Sequence, residues 1–346
     1  MALRFDRQVL TPLEGVRGMS AYRRPEMYRP YPLRSNPRTS EAAAHATDWA
    51  RRTGMLKALW TERDIQDLGA ATYAGHTHPE AAEPALFLLS EWHIWGFALV
   101  EHFGEFRRTR DVGAAKLLAR RLGACMTTES LTPGNAVERG LADLWPRTTR
   151  TMPDELRERL RRNLQGYADA HVEELSNLCQ NRVPDPSSYL ATRTRTVGAH
   201  WAHDLIRHLI DGELPQQVFA TWPMRALLDA FSETLGLQWD AWSYEEDVSL
   251  AAKINNGVNV YARFLGCSSQ RAGEVLNNLG TERLRRFENL AITEVPALAV
   301  ELGMGLADGE RLLRHIDRLR QFTAGAQQWV QRERAQLVSA KPNWLS

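Results

Sequence analysis

Trp239-Asp240-Ala241-Trp242-Ser243-Tyr244-Glu245-Glu246-Asp247 is the stretch on which the reading of this chain turns. At about 3.6 residues per turn, a helix carries positions 239, 243 and 247 on one face, so three side chains there can converge on a single ion. Here they are Trp, Ser and Asp. Outward from this point, apolar residues recur at helical spacing over 42–55, 61–73, 80–106, 114–126, 136–144, 153–178, 187–210, 223–235, 237–264, 269–290, 295–302 and 309–334. Pro133-Gly134, Pro184 to Pro186 and the Gly212 to Pro215 segment punctuate the series. No alternating strand, internal repeat or low-complexity tract interrupts it. The pattern predicts one all-α domain over 41–346. Before it, Pro12, Pro25, Pro30, Pro32 and Pro37 predict an irregular arm over 1–40.

A chain of 346 residues can bury a large core as one helical domain or as two. Its 43% hydrophobic and 25% charged residues are ordinary for a globular protein. The formal net charge of +1 argues against a general nucleic-acid binder, which needs excess Lys and Arg. The basic cluster from Arg157 to Arg162 reads as a solvated helix face. Cys125, Cys179 and Cys267 lack C-x-x-C spacing and read as reduced thiols, not as a disulfide framework or zinc site. No long apolar run predicts membrane insertion and the N-terminus lacks a signal-peptide core, so a cytoplasmic protein is expected.

The stretch at 239–247 resembles the second metal motif of the class I terpene synthases, N-D-x-x-S-x-x-x-E, with Trp239 in place of the Asn and Asp247 in place of the Glu. Tyr189-Leu190-Ala191-Thr192-Arg193-Thr194-Arg195-Thr196-Val197-Gly198 is similar to the family's Y-x-x-x-R-x-x-T-x-G segment, roughly 46 residues upstream. Ser35-Asn36-Pro37, His78-Pro79-Glu80, the Trp92 to Trp95 pair and Leu141-Ala142-Asp143-Leu144-Trp145 follow the order of the bacterial members. The resemblance implies an all-α helical bundle around a central apolar pocket, with the arm folded over its mouth. It also implies Arg193 as the diphosphate sensor, with Val197 in the same catalytic segment, and Mg2+ as cofactor.

The first metal motif of that family, D-D-x-x-D, has its counterpart near the end of the 80–106 helix, in Val100-Glu101-His102-Phe103-Gly104-Glu105. One register gives Glu101, His102 and Glu105, or E-H-x-x-E; another sets Val100 and Glu101 against the Asp pair. In the first register Glu101 and Glu105 share a face at i and i+4 and could hold an ion with Ser243 and Asp247. Magnesium prefers hard oxygen donors, so Trp239 removes a ligand and His102 is a poor replacement. The family places a Lys where this chain has Glu246, and Arg334 stands one place out of register as a second diphosphate contact.

Phe97, Trp239 and Trp329 are expected to face the substrate pocket, where aromatic rings can stabilise carbocations. Three functions follow from this set. The first is a cyclase that ionises a prenyl diphosphate, C15 or C20, releasing pyrophosphate and a cyclic terpene. The second acts on a preformed terpenoid or other apolar molecule by proton transfer, with Glu101, Glu105 and Asp247 as acid or base. The third is a non-catalytic binding scaffold. The expected partner is an isoprenoid diphosphate or terpenoid; homodimers, common in the resembling family, are allowed.

Overall fold

The computed structural model describes residues 22–127, 131–210, 214–249 and 254–339. Among them run helices α1 (Thr39–Arg52), α2 (Met55–Ala58), α3 (Glu62–Leu68), α4 (Ala70–Thr77), α5 (Glu83–Thr109), α6 (Val112–Cys125), α7 (Ala136–Thr149) and α8 (Asp154–Cys179). There follow α9 (Pro186–Thr196), α10 (Ala199–Leu209), α11 (Gln216–Ala220), α12 (Trp222–Ser249), α13 (Gly257–Leu265), α14 (Ser269–Glu301) and α15 (Leu306–Ser339). No strand occurs among the described residues beyond an isolated bridge between Leu56 and Trp60. The fold is all-α.

Two long helices organise the bundle. α5 buries Leu86, Leu89, Trp92, Trp95, Leu99 and Phe103, residues spread around much of its circumference, and packs against α1, α4, α6, α7 and α8. A helix apolar on so many sides belongs in the interior. Its indoles are anchored as well as buried: Trp92 Nε1 donates to Thr148 Oγ1 at 2.9 Å and Trp95 Nε1 to the Val137 carbonyl at 3.0 Å. α12 runs against α14, α15 and α9. Most buried apolar side chains form one cluster; a smaller one around Tyr189, Leu237, Val258 and Leu276 lies where α9, α12, α13 and α14 meet.

Local chemistry sets several boundaries differently from the periodicity alone. The 187–210 segment breaks into α9 and α10 at Gly198, whose φ of 78° is strained for any residue with a side chain. The segments 223–235 and 269–290 run on, as α12 through Gly236 to Ser249 and as α14 through Pro296 to Glu301. Helix α7 likewise continues through Pro146. Flanking packing outweighed the breaker residues in each of these cases.

Of the arm expected over 1–40, residues 1–21 lie outside the described residues; residues 22–38 are non-helical and lie across α12, α14 and α15. The Tyr22 hydroxyl donates to the Ala241 carbonyl at 2.7 Å, Asn277 Nδ2 to the Glu26 carbonyl at 2.9 Å, and Gln327 Nε2 to the Tyr28 carbonyl at 3.0 Å. Among the described residues, no helix is long and apolar enough to cross a membrane.

Candidate active site

The polar centre of the molecule is assembled from α8, α9, α12 and the start of α13. Asp185 caps α9, accepting from the Ser187 and Ser188 amides at 3.0 Å, with Pro186 at the first helical position. This fixes the helix that carries Tyr189, Arg193 and Thr196. Asp240, one residue on from Trp239, receives Arg193 Nε at 2.8 Å, the Tyr189 hydroxyl at 2.8 Å and the Gly257 amide at 2.8 Å. The Gly257 approach needs a residue without a side chain, since a Cβ there would fall 2.4 Å from the Tyr189 hydroxyl. Arg193 and Asp240 keep only 11% and 4% of their side-chain surface exposed. Burial opposes the Arg193 charge, but the carboxylates around it, Asp240 foremost, raise its pKa overall.

Two turns further on, Asp247 is buried. Ser243 Oγ donates to Asp247 Oδ2 at 3.0 Å, and Asn256 Nδ2 donates to the same oxygen at 2.9 Å. Asn256 also caps α13 through the Val258 amide. Glu174 on α8 closes the ring: Thr196 Oγ1 donates to it at 3.2 Å, and Arg193 Nη1 donates to Thr196 Oγ1 at 3.2 Å. The structure thus brings Arg193, Ser243 and Asp247 together. Val197 caps the C-terminal end of α9; its amide donates to the Arg193 carbonyl at 3.0 Å and its half-buried side chain packs on the core.

The α5 side of the cleft is less complete. Glu101 is largely buried, which raises its carboxyl pKa, while Arg107 pulls the other way. Glu105 does not join it. Its carboxylate, 53% exposed, takes two bonds of 2.6 Å from Arg108 Nη2, and that arginine holds its pKa down. In this structure the arginine three residues on, Arg108, pairs with that carboxylate. His102 meets the Phe106 ring edge-on at 5.1 Å and senses Glu105 and Glu138, and burial lowers its pKa. Those contacts are not with the α12 carboxylate.

Phe97, Trp239 and Trp329 come together. Trp329 stacks on Phe97 with centroids 5.1 Å apart and lies 5.1 Å from Trp239, while Tyr73 meets both Phe97 and Trp329 edge-on. Trp329 Nε1 donates to the Leu68 carbonyl at 3.1 Å. The side chains of Arg334 and Glu246 lie outside the described residues.

Whether these residues suit a divalent cation follows from their donors. Trp239 offers no oxygen, and among the described residues no three His, Cys, Asp or Glu side chains are grouped as a metal site. Asp247 and Ser243, with Glu101 across the cleft, supply hard oxygen donors suited to a smaller metal complement than two full motifs would hold. Position 239 and Glu105 do not fit.

The family model described as terpene synthase family 2, C-terminal metal binding, matches residues 91–286. The chain belongs to this terpene synthase family. Pristinol synthase from Streptomyces pristinaespiralis is 24% identical over 304 residues, 87% of this chain and 81% of that protein. A 4-epi-cubebol synthase from Streptosporangium roseum, described as (2E,6E)-farnesyl diphosphate cyclizing, is 25% identical over 76% of this chain and 79% of its own length. The crystal structure of germacradien-4-ol synthase from Streptomyces citricolor superposes with a TM-score of 0.78 at 24% identity, covering 88% of this chain and 97% of that one. This is the fold of the class I terpene synthases. The matched region runs from Glu91 in α5 to Arg286 in α14, and so holds Glu101, Arg193, Ser243 and Asp247.

Three residues around this polar centre were not anticipated from the sequence. Asn256 announces itself only as the Asn of an Asn-Gly start to α13, Glu174 lies within an unremarkable acidic run on α8, and Arg107 sits among the charges ending α5.

Proposed function

We propose that this protein is a class I terpene cyclase that ionises a prenyl diphosphate, farnesyl diphosphate first among candidates, and closes the resulting cation to a cyclic terpene. The observation that carries the reading is the buried Arg193–Asp240 pair with Ser243 one turn and Asp247 two turns beyond it, beside a wall of Phe97, Trp239 and Trp329. The C15 length rests on the relative described as cyclising farnesyl diphosphate.

Departure of diphosphate from an allylic carbon needs positive charge at the leaving oxygens. Arg193 is placed to supply it: Asp240 holds Nε, Thr196 holds Nη1, and the guanidinium is thereby oriented before substrate arrives. Mg2+, held by Asp247 and Ser243 with Glu101 across the cleft, would add to that charge when bound. The aromatic wall stabilises the carbocation by cation–π attraction and excludes water that would quench it. Residues 41–346 form the catalytic domain in this reading, with the arm drawn over its mouth. Cys125, Cys179 and Cys267 are free, in keeping with a cytoplasmic location.

The test is incubation with geranyl, farnesyl and geranylgeranyl diphosphates, with and without Mg2+, measuring released pyrophosphate and volatile products. Metal-dependent pyrophosphate release with a cyclic product from farnesyl diphosphate is expected. No release from any of the three, by protein shown folded by circular dichroism, overturns the proposal.

A further inference from the structure

At the end of α12 remote from Asp247, a cavity of about 430 Å3 opens between α8, α10, α11, α12 and α14. Asp229, the last α12 residue to line it, precedes Ser243 by about 20 Å of helical rise, so cavity and cleft are separate places. The charged lining is Arg159, Arg225, Arg286 and Asp229, with His200 and His203 beside them. Three guanidiniums against one carboxylate leave an excess of positive charge. Arg159 is held in place: Nε lies 2.9 Å from Asp204 Oδ1, a carboxylate with none of its side-chain surface exposed. Nη2 donates to His203 Nδ1 at 3.2 Å. A guanidinium cannot accept, so Nδ1 carries no proton and His203 donates from Nε2 to His315 Nε2 at 3.1 Å. Both contacts of Arg159 use its Nε and Nη2 edge. The N–H groups of Nη1 remain, and 25% of the side chain is exposed. Arg225 and Arg286 are exposed, and among the described residues neither forms an ion pair. Trp222, 57% exposed, sets a flat apolar face beside these charges, with Met224 and Phe219 below it.

We propose that this cavity is a second anion site, which takes a phosphate ester with an apolar body: the phosphate among Arg159, Arg225 and Arg286, the body along Trp222 and Met224. The site stands whether or not the cleft ionises a prenyl diphosphate. A phosphate monoester fits better than a carboxylate, because a dianion matches the excess charge and each planar guanidinium fork can give two parallel N–H bonds to its oxygens. Asp204 and His203 already fix Arg159, so little side-chain freedom is lost when a ligand arrives. Covering the exposed indole favours an ester over inorganic phosphate. Asp229 opposes the anion from the exposed rim, one helical turn beyond Arg225.

The test is calorimetric titration in EDTA with phenyl phosphate, geranyl phosphate and inorganic phosphate, joined to hydrogen exchange that locates the bound ester. Arg159→Gln would strand the buried Asp204 and can fail to fold, so the exposed rim carries the test: Arg286→Ala, the Arg225→Ala/Arg286→Ala pair, Trp222→Ala and Asp229→Asn. The wild type should bind one ester molecule at this cavity, with new protection in 199–209 and 216–229. Each arginine removed should weaken binding about tenfold, as loss of a charge-assisted contact requires. Trp222→Ala should bring the esters down to the affinity of inorganic phosphate, and Asp229→Asn should tighten all three about threefold. Tighter binding of the phenyl ester upholds the site with an aromatic ligand, and of the geranyl ester with an isoprenoid one. A wild type that binds none of the probes, or a folded Arg225→Ala/Arg286→Ala pair that binds them undiminished, overturns the proposal. So does protection confined to 239–247, which places the ester in the cleft, and so do esters that bind no tighter than inorganic phosphate.

Discussion

The two sides of the cleft face the same chemical demand and meet it differently. On the α9–α12 side, every key polar group has a partner built by the fold: Asp240 receives three donors, two from α9 and one from the start of α13, and Asp247 receives Ser243 and Asn256. On the α5 side, Glu101 is half-buried, Glu105 is tied to a surface arginine, and Arg107 folds back along its own helix to the Val100 carbonyl. The first side depends on tertiary contacts that would be costly to lose. The second depends on one helix surface, where substitutions can accumulate without unfolding the domain. Departures from the family pattern on α5 are therefore tolerated structurally, whereas on α12 Trp239 is absorbed into an aromatic stack.

The comparison breaks most visibly if its buried half proves dispensable. Asp240→Ala strands the Arg193 charge and the Tyr189 hydroxyl, and a loss of about 3–5 kcal/mol is expected in urea unfolding. A loss near that of a surface variant would refute the structural role given to the pair. Trp329→Ala removes the ring between Phe97 and Trp239 and should cost about 3–5 kcal/mol. It should also shift product from cyclic to linear or hydroxylated terpenes, read by gas chromatography.

A carboxylate outside the cleft supplies a control. Glu91 on α5 is fully buried and receives Arg147 Nη2 at 2.7 Å, yet burial dominates and pushes its pKa from 4.5 up to about 7. The folded state then holds this proton more tightly than the unfolded chain does. Its contribution favours folding at low pH and is lost as pH rises from about 4.5 through about 7. Glu91→Gln should flatten that part of the stability profile by about 1–3 kcal/mol, measured as urea midpoints across the range. A profile unchanged by the substitution would show that Arg147 fully offsets burial. The smallest effect is reserved for Glu105→Gln, which breaks an exposed i,i+3 pair and should alter stability by at most about 0.5 kcal/mol.

The all-α fold was legible because periodicity ran through nearly every segment, and the site's location because Arg193, Ser243 and Asp247 retain their spacing in the chain. Spacing along a helix specifies which face a residue occupies, and that sufficed for α12. It did not suffice for α5, where Glu101 and Glu105 share a side in sequence but part company once Arg108 competes for one of them. Glu174 and Asn256 enter from other helices, and only tertiary packing places them.

Charge handling in this protein is concentrated on the α9–α12 side. Its most direct test is the rate of pyrophosphate release from farnesyl diphosphate at saturating Mg2+ by Asp247→Asn and Glu105→Gln, side by side with the wild type. Asp247→Asn should lose about a hundredfold or more, as removal of one preorganised electrostatic group does, while Glu105→Gln stays within about twofold of wild type. Equal losses in both variants, or a larger loss in Glu105→Gln, would contradict the claim.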